Sequence, residues 1–225
     1  MTNTDSDVRF WDSGAEKYSK SAISDLGGYE RTLDRTRELL RPDSRVVELG
    51  GGTGATALRL AGCVRSYLGT DIAPAMIEIA NRRLATGDTP PPPPGLAFRV
   101  ATADQLAAEP DNRFDAVLAF NYLHLVRDLP GTLGCANRML GPGGLFISKT
   151  PCLRDMNPLV WFAGLPLMRA VGLAPYCSVF SAAELKDKIA AAGFEIVATE
   201  YHATKGSDAR PFIVARKVAV KEGQV

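Results

Sequence analysis

The sequence predicts an α/β protein: a doubly wound, seven-stranded sheet, mostly parallel, with a final antiparallel strand and helices on both faces. Three observations carry this. Apolar runs of strand length alternate with segments of helical period from residue 45 to residue 148. The first run, Arg45 to Leu49, passes directly into Gly50-Gly51-Gly52-Thr53-Gly54 and then into a helical segment. Two strand-like runs close the chain without the helix that a sixth parallel unit would require.

Taken in order, Phe10, Trp11, Ala15 and Tyr18 recur at roughly helical spacing. Tyr29, Leu33 and Leu40 share a face of a second helix, which stops before Pro42. Val46, Val47 and Leu49 read as a buried parallel strand. Ala57, Leu58 and Ala61 face inward on a helix starting near residue 54. Ser66 to Asp71 is the second strand and its tip. Pro74 suits the first turn of the next helix, where a backbone N–H has no partner anyway. That helix buries Met76, Ile77, Ala80 and Leu84. The five prolines 90–94 read as a surface spacer rather than a polyproline ligand. Strand three is Leu96 to Val100 and strand four Phe114 to Phe120. Leu129, Leu133, Ala136 and Leu140 predict a helix, Gly141-Pro-Gly-Gly144 stops it, and Leu145 to Ser148 is strand five.

The rhythm then changes. Residues 156–183 carry one charge, Arg169, amid many apolar side chains interrupted by Gly164, Pro166, Gly172 and Pro175. They read as broken helices covering something apolar. Ser181-Ala-Ala-Glu184 is a capping box opening a helix with Leu185, Ile189 and Ala192 inward. Phe194 to Thr199 and Pro211 to Arg216 are the final strands, an antiparallel pair. The expected organisation is one domain: a helical cap (1–41), a core (42–150), an apolar insert (151–180) and a closing helix with strands (181–225).

Composition sets bounds. The 225 residues are 46% hydrophobic and 23% charged, enough for one sizeable core. Net charge is +1 with scattered Lys and Arg, so no nucleic-acid partner is expected. The polar N-terminus lacks an apolar leader, and no run of 18 apolar residues exists. A cytoplasmic protein without a membrane span is expected. The four cysteines form no CxxC and the two histidines complete no metal-site spacing, so reduced thiols and no metal are expected.

The glycine-rich turn carries the chemistry. Glycines between a strand and a helix let the backbone approach a ligand closely. Asp71, at the next strand tip, is placed to accept hydrogen bonds from a ribose diol. A nucleoside-bearing cofactor follows. Gly50-x-Gly52-x-x-Ala55 fits a dinucleotide, hence an NAD(P)-dependent oxidoreductase, and Tyr201-x-x-x-Lys205 mimics the short-chain dehydrogenase pair. That pair belongs on a mid-chain helix, whereas here it trails a late strand. Glu48, inside the strand end, would repel a pyrophosphate but suits an ammonium group and a sulfonium.

Glu48-Leu-Gly-Gly-Gly-Thr-Gly54, Thr70-Asp71-Ile-Ala-Pro-Ala-Met76, Phe114-Asp-Ala-Val117 and Leu140-Gly-Pro-Gly-Gly-Leu145 resemble the successive motifs of class I S-adenosylmethionine-dependent methyltransferases. The resemblance is nearest to the small-molecule branch that includes ubiquinone- and menaquinone-biosynthesis C-methyltransferases, and it covers residues 8–150. It implies a Rossmann-like fold with S-adenosyl-L-methionine as methyl donor. By position, Gly50, Gly51, Gly52 and Gly54 would form the turn under the methionine part, with Glu48 near its amino group. Asp71 would hold the ribose hydroxyls, and Ile72 and Met76 would flank the adenine. Asn121 would lie near the methionine end, and Tyr18 would fold over the cofactor. Thr102 stands where family members often carry an acid reaching the adenine amine. Asp104 substitutes for it, or that amine meets water or Thr102; a backbone contact from Ala103 is unaffected.

The acceptor is less legible. His124, just past strand four, is placed for a general base, and a hydrogen-bonded structural histidine fits the same position. His202 and Tyr122 are weaker candidates. The nucleic-acid amino-methyltransferase motif after strand four is missing, which favours O- or C-methylation of a small apolar metabolite. The insert falls where related enzymes place an acceptor lid, and its apolar content suits an aromatic or lipid-like acceptor delivered from a membrane surface. Core packing or a homodimer interface would use the same residues. A non-catalytic S-adenosylmethionine-binding protein is the remaining alternative.

Overall fold

In the computed structural model, residues 3–86, 93–110, 113–170, 172–204 and 208–219 are described. Two helices come first, α1 (Asn3–Ser19) and α2 (Leu26–Leu39), then β1 (Arg45–Leu49) and α3 (Ala55–Leu60). β2 (Ser66–Asp71), α4 (Pro74–Thr86), β3 (Leu96–Val100), α5 (Ala103–Ala108) and β4 (Phe114–Phe120) follow. α6 (Leu129–Met139), β5 (Leu140–Lys149), α7 (Leu165–Ala170), α8 (Ala182–Ala191), β6 (Phe194–Glu200) and β7 (Phe212–Lys217) complete the chain.

The seven strands lie in the order β3-β2-β1-β4-β5-β7-β6. β7 runs antiparallel to both β5 and β6, and the other pairings are parallel. The strand order reverses between β1 and β4, which opens a crevice at their carboxyl ends. Alternation along each strand sends side chains to two apolar layers. Val47, Leu49, Val117 and Phe146 pack toward α5, α6 and α8. Val46, Ala116, Leu118 and Ile147 pack toward α2 and α3. Trp11 and Ala15 of α1 pack on Met76 and Ile79 of α4, so the N-terminal helix lies along the crevice.

Several expectations are corrected. A helix not read from the sequence, α5, follows β3. Thr102 is its N-cap in a capping box with Gln105. Leu140 does not extend α6: its side chain is buried, but it pairs with Phe114 as the first residue of β5. Gly141-Pro-Gly-Gly144 lies within that strand and shifts its register, so Leu145 pairs with Ala116. Leu84 is half-buried. Within the proline run, 90–92 lie outside the described residues, as does Lys205.

The side chains of the insert divide between the cleft and solvent: Pro151, Pro175 and Cys177 line the cavity at the strand tips. The insert's π-helical turn, Val160–Gly164, runs into α7. Leu159, Phe162, Leu167 and Leu173 point to solvent, with 68–74% of their surface exposed. These side chains do not cover an apolar site.

Gly54 shows why the turn after β1 needs glycine. It sits at φ +77°, and a Cβ there would lie 2.7 Å from Phe98 Cζ and 3.0 Å from Ala80 Cβ. Gly54→Ala should lower stability by about 1–3 kcal/mol, read as a reduced midpoint in urea unfolding.

Candidate active site

A cavity of about 870 Å³ opens at the carboxyl ends of β1, β2 and β4. This lies in the range of roughly 300–1,000 Å³ typical of ligand clefts. Tyr18, Gly50, Gly52, Asp71, Ile72, Met76, Thr102, Ala103, Asp104, Asn121, Tyr122 and His124 all line it. Glu48 and Gly51 line instead a smaller chamber of about 150 Å³, which shares Tyr18, Gly50, Phe120 and Asn121 with the main cavity. Gly54 lines neither and serves packing.

The turn is fixed by hydrogen bonds to the neighbouring strand tip. Gly51 N donates to Thr70 O (2.8 Å) and Gly52 N to Asp71 Oδ2 (3.0 Å). Asp71 Oδ1 accepts from Ala73 N (3.0 Å), so the carboxylate is held at both oxygens and retains lone pairs for further donors. Burial pushes its pKa up, opposed by these backbone donors. Gly50 lies at φ +66°, and a Cβ there would sit 2.3 Å from Tyr122 Cδ2. Tyr122, its pKa raised by burial, thus serves as the floor of the turn. Asn121, at φ +51°, is the one non-glycine in the left-handed region among the described residues. Its N–H donates to Lys149 O (2.8 Å), tying the tips of β4 and β5.

At the start of α5, the Thr102 hydroxyl accepts from Gln105 N (3.4 Å) as a helix cap. Asp104 beside it also lines the cavity. His124 sits in a short turn, Leu123–Leu125, and lines the cavity together with Phe120, Tyr122, Val126, Pro151, Pro175 and Cys177. Its Nδ1 is buried with no hydrogen-bond partner among the described residues, and desolvation pulls its pKa down to about 4. His202 is elsewhere: buried, ring-stacked on Phe212, and bonded to Thr32 and Glu200. It is a structural histidine.

Residues missed in the sequence come from α1 and the β5 tip. Asp7 takes a bidentate contact from Arg127 (2.7 and 2.8 Å), fastening α1 across the cavity mouth. Lys149 lines the small chamber. Its position at a parallel strand's carboxyl end was a signal available beforehand.

Glu48 is 2% exposed and accepts from Tyr67 Oη (2.8 Å). Burial, partly offset by that bond, raises its pKa to about 7. The folded carboxyl therefore binds its proton more tightly than an unfolded one, and stability falls as pH rises from 4.5 through 7. Glu48→Gln should stabilise the fold by roughly 2–3 kcal/mol at pH 8.5 and change little at pH 4, read by thermal melts at both values.

The fold and this crevice define an S-adenosylmethionine-dependent methyltransferase domain. Residues 23–199 match the family model described as a methyltransferase domain, and the chain belongs to that family. It is similar to the ubiquinone biosynthesis O-methyltransferase of Methylocella silvestris, 32% identical over 120 residues, covering 52% of this chain and 44% of that one. It is similar also to the demethylmenaquinone methyltransferase of Symbiobacterium thermophilum, 32% identical over 125 residues, covering 54% and 47%. The chain spans less than half the length of these curated relatives. In fold it resembles magnesium protoporphyrin IX methyltransferase from Synechocystis PCC 6803, solved with S-adenosylmethionine, at a TM-score of 0.69 and 14% identity over 96% of this chain and 98% of that one. No described helix is long and apolar enough to cross a membrane.

The residues fit that cofactor class. The turn leaves no room for side chains at Gly50, Asp71 offers free lone pairs to the cavity, and Glu48 supplies a carboxyl group beside the turn without a cationic partner among the described residues. This resolves the nicotinamide alternative in favour of methyl-group chemistry.

Proposed function

We propose that the protein transfers a methyl group from S-adenosylmethionine to an oxygen or carbon nucleophile of a small, apolar or aromatic acceptor. The observation that carries this reading is one cavity that brings Asp71, Asp104 and the glycine turn together with Phe120, Tyr122, Leu125, Val126 and a single imidazole, His124.

The cofactor, when bound, supplies an already activated methyl group. The protein's task is alignment and water exclusion. Gly50, Gly52 and Asn121 would support the methionine end, Asp71 the ribose, Ile72 and Met76 the adenine faces, and Asp104 the exocyclic amine. Tyr18 and Trp11 of α1 would close over them, held by the Asp7–Arg127 contact. His124, neutral at working pH, would take the acceptor's proton. An imidazole with a pKa near 4 is a weak base, so it serves best with an acidic phenol or carbon acid, or with a proton made acidic by methylation.

Two outcomes test this. Asp71→Ala should weaken S-adenosylhomocysteine binding at least about tenfold by calorimetry; unchanged affinity would remove the ribose assignment. Against a panel of phenols, quinols and acids with labelled donor, His124→Gln should lower kcat about 10²- to 10⁴-fold with donor affinity unchanged. The wild-type rate should show no loss from His124 protonation between pH 5.5 and 8, because that group charges only near pH 4.

A further inference from the structure

The small chamber behind the glycine turn contains an arrangement that the methyl-transfer reading does not use. Four charged side chains line it: Asp25, Glu48, Lys149 and Arg210. Two are already committed. Asp25 accepts from Gly28 N (3.0 Å), Thr204 N (3.0 Å) and Thr204 Oγ1 (2.6 Å), capping α2. Arg210 pairs with Asp208, which is buried beside it (3.4 Å). Glu48 and Lys149 remain. Glu48 has one protein donor, the Tyr67 hydroxyl.

Lys149 is half-buried and makes no ion pair among the described residues. Its Nζ donates to Thr32 Oγ1 (2.9 Å) and, at 3.5 Å, to Gly28 O. An ammonium carries three donors, so one is left for a ligand. Its hydrogen-bond partners are neutral, and the carboxylates of Asp25 and Asp208 compensate its charge only from beyond ion-pair distance.

The position of that ammonium is not casual. Behind it runs a chain of hydrogen bonds. Lys149 donates to Thr32 Oγ1, Thr32 pairs with His202 Nδ1 (3.0 Å), and His202 Nε2 pairs with Glu200 Oε2 (3.2 Å). Glu200 is anchored by Arg35 (2.9 Å). The single Thr32 hydroxyl proton goes to Gly28 O (2.8 Å), which leaves its oxygen free to accept from Lys149. The ammonium is thereby held at the chamber wall by α2, β6 and β5 together.

A cation and an anion on the walls of one polar chamber, joined to a nucleoside cleft through Gly50 and Asn121, match a zwitterionic amino-acid head. We infer that Lys149 is the cation that selects the carboxylate of the donor's amino-acid end, working opposite Glu48, which receives the ammonium. Lys149 would hold this carboxylate by a charge-assisted hydrogen bond, and the Thr32–His202–Glu200 chain positions it for that purpose. The inference rests on the S-adenosylmethionine reading above.

Calorimetry with two probes, S-adenosylhomocysteine and its decarboxylated analogue, tests it without turnover. Wild type should prefer the carboxylated probe roughly 10- to 100-fold. Lys149→Met should abolish that preference while binding the decarboxylated analogue as wild type does, and Lys149→Arg should keep most of it. A wild-type preference under twofold overturns the inference even if the Met variant does not fold, as does an unchanged preference in a folded Lys149→Met. If wild type binds neither probe, the donor assignment itself falls, and Lys149's role with it.

Discussion

The turn after β1 is held in place by the tip of β2, and the crevice depends on that junction. Gly51 and Gly52 donate to Thr70 O and the Asp71 carboxylate, while Thr70 Oγ1 returns a bond to Glu48 O (2.9 Å). These bonds satisfy amides that would otherwise be orphaned where the strand stops. They also join the Asp71 carboxylate and the glycine turn, both on the cavity wall, in one unit. Ala75 N, at the start of α4, is capped by Asp12 of α1 (2.9 Å), so the covering helix is referenced to the same strand tip.

Charge placement around that junction is costly in an informative way. Glu48 sits in an apolar strand end with a tyrosine hydroxyl as its partner, and Lys149 sits beyond it with a threonine and a carbonyl. Neither forms an ion pair among the described residues. Buried groups left so are expected where a ligand completes the pairing. His124 follows the same logic in a different currency: an unpaired Nδ1 in an apolar wall keeps the ring neutral. The site is thus a destabilised region of an otherwise closely packed sheet.

Much of this was legible in the chain. Strand positions followed from apolar runs bounded by turn residues, and the five core strands fell where those runs lie. Boundaries failed where local and tertiary signals competed. Leu140 has the spacing of a helix face, yet the sheet recruits it to β5 because Phe114 offers an edge to pair with. α5 is a single capped turn and a half, too short for periodicity to reveal. The insert's apolar residues suggested a cover for the cleft, but hydrophobicity alone does not fix which way a side chain faces; Pro175 and Cys177 reach the cavity, while Leu159, Phe162, Leu167 and Leu173 face outward.

By itself the sequence determined the strand-turn-helix order, the glycines at 50 to 54, Asp71 at the second tip and hence the class of cofactor. Those are local facts, set by periodicity, by glycine's access to positive φ and by the spacing of one βαβ unit. Only the tertiary structure decided which charges share a chamber. Lys149 and Glu48 stand far apart in the chain, and Thr32, His202 and Glu200 come from the second helix and the last part of the sheet. Their meeting depends on the sheet order that sets β5 next to β4 and folds α2 across it, a long-range arrangement that no short window of residues encodes.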